Sequence, residues 1–276
     1  MASKAAFAPA SIRVSSRCGR RNAATVVRRV VTSRAASEAA SDDAEGASAA
    51  AAAAKKVVVL GGSGFVGSRV VKRIADTGAK VTSVSRSGTE VQGAYETEKI
   101  DLRDEESFEE LKEIMDGADA VVSCVGVIGG DDNRMLAGNG FTNVRGIKAA
   151  KAAGVKRFVY VSVASIVPDV VGATPLMKGY FAGKVLAEEA LAENFDASQY
   201  LVVKPSFIYG GDEFSVNPPR VTQAYGDILV KLLGSELVKS VAEKTPGPIK
   251  LTLAEPVSVD DVAGACAAGA MVRRHR

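Results

Sequence analysis

A chain of 276 residues, 47% hydrophobic and 24% charged, has the length for one large or two small folded domains and excludes disorder throughout. Of its 35 Lys and Arg, eight lie in residues 1–37, which hold no acid, so the remainder carries 27 basic against 32 acidic residues despite a net charge of +3. An acidic body argues against nucleic acid as a partner. Cys18, Cys124 and Cys266 lack metal or redox spacing, so no metal site is expected, and no window reaches the roughly 18 apolar residues that a membrane span needs.

The first stretch, "MASKAAFAPASIRVSSRCGRRNAATVVRRVVTSRAAS", is rich in Arg, Ser and Ala and free of acid. That is the composition of an organellar transit peptide, with chloroplast favoured and mitochondrion as the alternative; a disordered basic tail is the other reading. "EAASDDAEGASAAAAAA" then reads as a low-complexity linker. Residues 1–54 are thus set apart from a folded region over 55–276, with a cleavage point between about Ser33 and Ala54.

From Lys55 short β-branched runs alternate with helical patterns. "KKVVVL" precedes a helix from about Gly64 to Asp76; "KVTSVS" and a weaker "YETEKID" follow; "DEESFEELKEIM" carries acids where a helix begins. Next come "ADAVVSCVG", a long helix within Asn133 to Ala153, "VKRFVYVSV", a helix from about Leu176 to Asn194, and "QYLVVKPSFIYG". Buried runs separated by helices predict a doubly wound α/β fold, a parallel sheet covered on both faces. From about residue 211 the pattern loosens into a small C-terminal extension, ending in "PVSVDDVAGACAAGAMV", a turn into a last helix.

Gly61, Gly64 and Gly67 form G-x-x-G-x-x-G directly after the first strand and at the opening of a helix. Glycine leaves room where backbone amides approach a pyrophosphate, and the helix N-terminus adds partial positive charge there. A packing turn without ligand is the alternative. The second strand ends in Ser85, Arg86 and Ser87 in place of an acid for ribose hydroxyls. A guanidinium suits a 2′-phosphate, so NADP(H) is favoured over NAD(H) unless Arg86 is simply an exposed arginine. Asp101, ending the third strand, faces either the adenine amino group or the start of the next helix, and Cys124 and Gly126, ending the fourth, pass beside the cofactor or serve packing.

Three tyrosines stand four residues before a lysine: Tyr95/Lys99, Tyr180/Lys184 and Tyr200/Lys204. Such residues are neighbours within about 6 Å on a helix but about 13 Å apart in a strand. Only Tyr180/Lys184 falls on a predicted helix. There an ammonium can lower the phenol pKa so that the tyrosine exchanges a proton with a carbonyl or hydroxyl during hydride transfer, and the lysine can also bind the nicotinamide ribose. Two packing or solvent-facing residues remain the bland reading.

"VVVLGGSGFVG", "RFVYVS", "YFAGK" and "PSFIYG" together resemble the short-chain dehydrogenase/reductase superfamily, and most closely its atypical branch, which includes plant plastoglobule NAD(P)-binding proteins, a mitochondrial coenzyme Q biosynthesis protein and an accessory subunit of respiratory complex I. The resemblance covers Lys55 to about Val272 and implies a Rossmann-like fold. It makes Gly61, Gly64 and Gly67 the pyrophosphate turn with Ser63 and Phe65 supplying amides, Arg86 the 2′-phosphate ligand, and Tyr180 with Lys184 the active-site pair. Asn139 in "GNGFTN" matches a structural asparagine, and Pro205, Ser206 and Ile208 match a segment beside the nicotinamide.

One position departs from that pattern: the serine or threonine that orients the substrate oxygen falls on Val163, which has no hydrogen bond to donate. Ser162 or Ser165 is the candidate substitute, Ser165 on the same side as position 163 and Ser162 on the other. The expected activity is NADPH-dependent reduction of a small or lipophilic carbonyl, with prenylquinone metabolism as a setting. The alternative is a non-catalytic NADPH-binding protein of a plastid or mitochondrial complex or lipid particle. Val221, Tyr225, Ile228, Leu229, Leu232 and Leu233 form an apolar face that packs on the core, covers a hydrophobic substrate or touches a lipid surface peripherally.

Overall fold

A computed structural model of the chain describes residues 54–164, 177–211, 215–216, 219–220 and 256–272. The leader, Ser165 and the apolar run from Val221 to Leu233 lie outside the described residues. Six parallel strands form the central sheet: β1 (Lys56–Leu60), β2 (Lys80–Ser85), β3 (Glu96–Lys99), β4 (Ala120–Ser123), β5 (Phe158–Val161) and β6 (Tyr200–Val203), in the spatial order β3-β2-β1-β4-β5-β6. The order reverses between β1 and β4, so the crevice beyond their carboxyl ends is the switch point at which doubly wound sheets bind ligands.

Strand alternation sorts the core into two layers. Val58, Leu60, Val84, Val121, Phe158 and Tyr160 face one side; Val57, Val59, Val81, Val122, Val159 and Val161 face the other. The first side is covered by α2 (Ser107–Met115), α4 (Thr142–Ala152) and α5 (Lys178–Asn194), with α3 (Asp132–Leu136) packed on α5, and the second by α1 (Gly67–Ala75) and α6 (Val259–Met271). Strands buried on both faces explain the near-continuous valine runs. The expected doubly wound α/β fold is the fold observed.

Two details differ from the sequence expectation. "QYLVVKPSFIYG" is two strands: β6 stops at Val203, and β7 (Ile208–Tyr209) leaves the sheet to pair in parallel with β10 (Val257–Ser258). Pro205 stands at the break, where it offers no N–H to a ladder and its carbonyl accepts from the Ala164 N–H at 2.8 Å. A two-stranded antiparallel piece, β8 (Ser215–Val216) with β9 (Pro219–Arg220), follows. Second, the long helix of residues 132–152 is interrupted by a π-helical turn, Ala137–Phe141, between α3 and α4. Asn139, fully buried in that turn, donates to the Val127 carbonyl at 2.7 Å and the Met135 carbonyl at 2.8 Å, and accepts from the Val127 N–H at 3.2 Å. This is a side chain of the structural kind that the resemblance implied for it.

Candidate functional site

The turn after β1 is shaped by contacts that only glycine permits. Gly61 has φ 76°, and its N–H donates to the Val84 carbonyl at 2.8 Å, which bends the chain across the end of β2. A Cβ on Gly67 would lie 2.1 Å from the Gly61 carbonyl oxygen, so the third glycine lets α1 begin directly against the turn. The first turn of α1 carries no acid, and no side chain caps it. Arg69 instead lies over the Phe65 ring, 4.8 Å from its centroid, and donates to the Phe65 carbonyl at 2.9 Å. The result is a small loop held in place, with a helix N-terminus available to an anion.

A cleft of about 440 Å³ opens over this turn, lined by Gly61, Ser63, Gly64, Ser85, Arg86, Ser87, Asp101, Arg103, Cys124, Gly126 and Val127, among others. It gathers the carboxyl ends of β1, β2, β3 and β4 and brings Gly61, Ser63, Gly64, Arg86, Asp101, Cys124 and Gly126 together in one lining. Phe65 and Gly67 build the adjoining loop, whereas Pro205, Ser206 and Ile208 are not part of the lining. Beside Arg86 the hydroxyls form a chain: Ser87 lies 3.3 Å from Ser63 and 3.4 Å from Ser85, and Thr89 donates to Ser87 at 2.8 Å. Burial pushes the Cys124 thiol well up, so at neutral pH it is a neutral wall of the cleft.

Asp101 lines the cleft and does not cap the following helix. Its carboxylate accepts the Arg103 N–H at 3.0 Å and the Arg103 Nε at 2.9 Å, closing a local turn, while α2 starts only at Ser107. The hydrogen-bonded Arg103 guanidinium holds the Asp101 carboxyl down at about 2. Arg103 is therefore a second guanidinium in the cleft that the sequence reading missed, its signal being only its place two residues after Asp101.

The Tyr180–Lys184 pair sits on the first turns of α5, as the helical assignment required. Lys184 is buried; its ammonium donates to the Val161 carbonyl at 2.9 Å and lies 5.0 Å from the Tyr160 ring centroid and 5.8 Å from that of Tyr180. A Cβ built on Gly126 would be 3.6 Å from Lys184 Nζ, which places the ammonium against the cleft wall. The helix comes this close because Gly179 and Gly183 meet α3 and the π-helical turn with no side chain between: Cβ atoms there would lie 1.9 Å from the Asp132 carbonyl oxygen and 2.8 Å from the Gly140 nitrogen. Burial lowers Lys184 to about 8 and raises Tyr180 to about 12. The tyrosine shift is opposite to the one expected, its cause being desolvation of the phenolate.

Ser162, the expected stand-in for the missing hydroxyl at Val163, donates to Glu188 at 2.6 Å. Glu188, one turn beyond Lys184 on α5, also accepts from Lys204 at 2.6 Å. The sequence reading missed Glu188, although the same four-residue spacing that links Tyr180 to Lys184 reaches it. It missed Asn143 too, which accepts from Ser123 at 2.6 Å and donates to the Val125 carbonyl at 3.3 Å. Asn139 and Asn143 thus hold the segment after β4 that forms the cleft wall. Asn139→Leu would strand the Val127 amide and carbonyl, and a loss of about 2–4 kcal/mol in urea unfolding, with weakened nucleotide binding, is expected.

A glycine turn and anion-ready helix at the switch point of a parallel sheet define a dinucleotide-binding protein. Residues 61–226 match the family described as NAD(P)H-binding, and the chain belongs to that family. An uncharacterised chloroplast protein of Arabidopsis thaliana is 36% identical over 216 residues, 74% of this chain and 67% of the relative. Among solved structures, MoeE5 in complex with UDP-glucose and NAD matches with a TM-score of 0.51 at 22% identity, over 79% of this chain and 72% of that one. WbmH of Bordetella bronchiseptica in complex with NAD+ matches with a TM-score of 0.51 at 18% identity, over 78% and 72%. At these identities the two structures bear on the fold.

Proposed function

We propose that the protein is an NADPH-dependent reductase of the short-chain type, acting in plastids on a small or lipophilic carbonyl. The observation that carries this reading is the placement of Lys184 Nζ against the Gly126 wall of the nucleotide cleft, with Tyr180 one turn before it on α5. Bound NADPH would supply the hydride. Tyr180 would give its phenolic proton to the substrate oxygen, and Lys184 would hold a ribose hydroxyl and the charge that forms beside it. A phenol at about 12 remains protonated at neutral pH. It is ready as a donor and poor as a base, which favours reduction over alcohol oxidation.

The preference for NADPH rests on Arg86, with Arg103 and the Ser63–Ser87 hydroxyl chain in the same cleft. In fluorescence titrations Arg86→Ala is expected to weaken NADPH binding roughly tenfold or more and to leave NADH binding nearly unchanged, the difference being one charge-assisted phosphate contact. Equal loss for both nucleotides would remove the 2′-phosphate assignment. The plastid location draws on the chloroplast relative and on the acid-free leader. A screen of aldehydes, ketones and prenylquinones with NADPH tests the substrate class.

One observation favours a second reading, a protein that binds NADPH without turning it over. Val163 offers no donor and the Ser162 hydroxyl proton is engaged by Glu188. On that reading NADPH binds and is oxidised by no carbonyl in the screen.

A further inference from the structure

Lys184 and Glu188 leave the same face of α5 one turn apart and end on consecutive residues of the sheet. The ammonium donates to the carbonyl of Val161, at the end of β5, and the carboxylate accepts from the hydroxyl of Ser162, the next residue. The second carboxylate oxygen accepts from Lys204, the first residue beyond β6. Both oxygens of Glu188 are therefore fixed, by two hydrogen bonds of 2.6 Å, and its side chain is 27% exposed. This is an unusual investment in one glutamate at the joint where two strands hand over to their loops.

The other groups around Lys184 offer no compensating charge. Tyr160 on β5 and Tyr180 on α5 present aromatic rings, and Cys124, after β4, is a half-buried thiol that desolvation keeps neutral. Asn139 of the π-helical turn is neutral, and the Asp132 carboxylate of α3 is directed to the start of α5, where it accepts the Gly179 N–H at 3.0 Å. Tyr160 adds a buried hydroxyl without a hydrogen-bond partner, so it does not anchor the network. Among the described residues, Glu188 is the carboxylate one helical turn from the buried ammonium and bonded to the residue after its carbonyl partner, and Lys204 is the cation that partly cancels it.

Resting on the reductase reading above, we propose that Glu188 is a positioning residue: clamped between Ser162 and Lys204, it is the fixed counter-charge that keeps Lys184 an ammonium at the nucleotide cleft. The direction of the electrostatics agrees, since burial lowers Lys184 while Cys124 and, after it, Glu188 raise it; burial keeps the Cys124 thiol neutral, which leaves the Glu188 carboxylate as the standing charge. The carboxylate touches neither substrate nor cofactor in this role. It acts through the lysine, and its own strength is set by Lys204, which sits at the protein surface.

That arrangement predicts opposite effects from two substitutions. Glu188→Gln removes the anion and shifts the Lys184 titration down by on the order of one pH unit. Lys204→Met leaves the anion less screened and shifts it up by about half a unit. The titration is followed in the full chain by the ¹³Cε resonance of isotopically labelled lysine, with Lys184 assigned by its loss in Lys184→Met. NADPH affinity is measured across the same pH range. Because Lys184 binds in its charged form, the alkaline limb of NADPH binding follows each shift. Lys204→Met lies at the surface and keeps the test available should Glu188→Gln fold poorly. A structural role alone would move both variants in the same direction, and that result, or an unmoved Lys184 titration, overturns the inference. The resonance is read without nucleotide, so the outcomes separate. Opposite shifts with no NADPH binding would retain the Glu188–Lys184 coupling and remove the reductase reading; NADPH turnover with an unmoved titration would do the reverse.

Discussion

Tyr180→Phe is expected to lower NADPH-dependent carbonyl turnover by roughly 10²–10⁴-fold, the range that a positioned proton donor contributes, with nucleotide affinity almost unchanged. The substitution removes one oxygen and keeps the ring, and the ring is what contacts Phe181, edge to face at 5.2 Å, and Lys184. Packing is thereby held constant while the proton is lost. A fall in kcat with an unchanged NADPH titration separates chemistry from binding. Full turnover in the variant would sink the tyrosine mechanism. Turnover absent from wild type and variant alike, with NADPH bound by both, would favour the non-catalytic reading.

The second large effect is expected at Gly179. An added methyl would sit 1.9 Å from the Asp132 carbonyl oxygen and 2.6 Å from its carbon, both backbone atoms of a neighbouring helix. Neither atom can swing away as a side chain would, so α5 must lift from α3. Gly179→Ala is expected to cost about 3 kcal/mol or more in denaturant unfolding, at the upper end of overpacking effects. It should also lower turnover in the fraction that remains folded, because Tyr180 is the next residue. Unchanged stability would mean that the α3–α5 contact is looser than its geometry implies.

The sheet was legible from Lys55 onward because its inner strands are buried on both faces and their valine runs are bounded by glycine and charged residues. The glycine turn was legible for a related reason: its spacing follows a strand and opens a helix. Pairwise geometry was readable only where it obeyed a helical period, as between Tyr180 and Lys184. Arg103 escaped because its position depends on the turn closed by Asp101, and Asn143 because it reaches β4 across twenty residues of chain. The direction of the Tyr180 shift was misjudged for a different reason. Spacing reports that a lysine is near, but not how much water has been removed from both groups.

The pairing of β7 with β10 joins Ile208 to Val257 across a single strand spacing, about 4.8 Å. That ladder delivers α6 to the face of the sheet where it packs with α1, the helix that opens at the glycine turn. The nucleotide grip therefore leans on a helix supplied from beyond residue 256, and the layer that supports the turn is complete only once that late segment has docked.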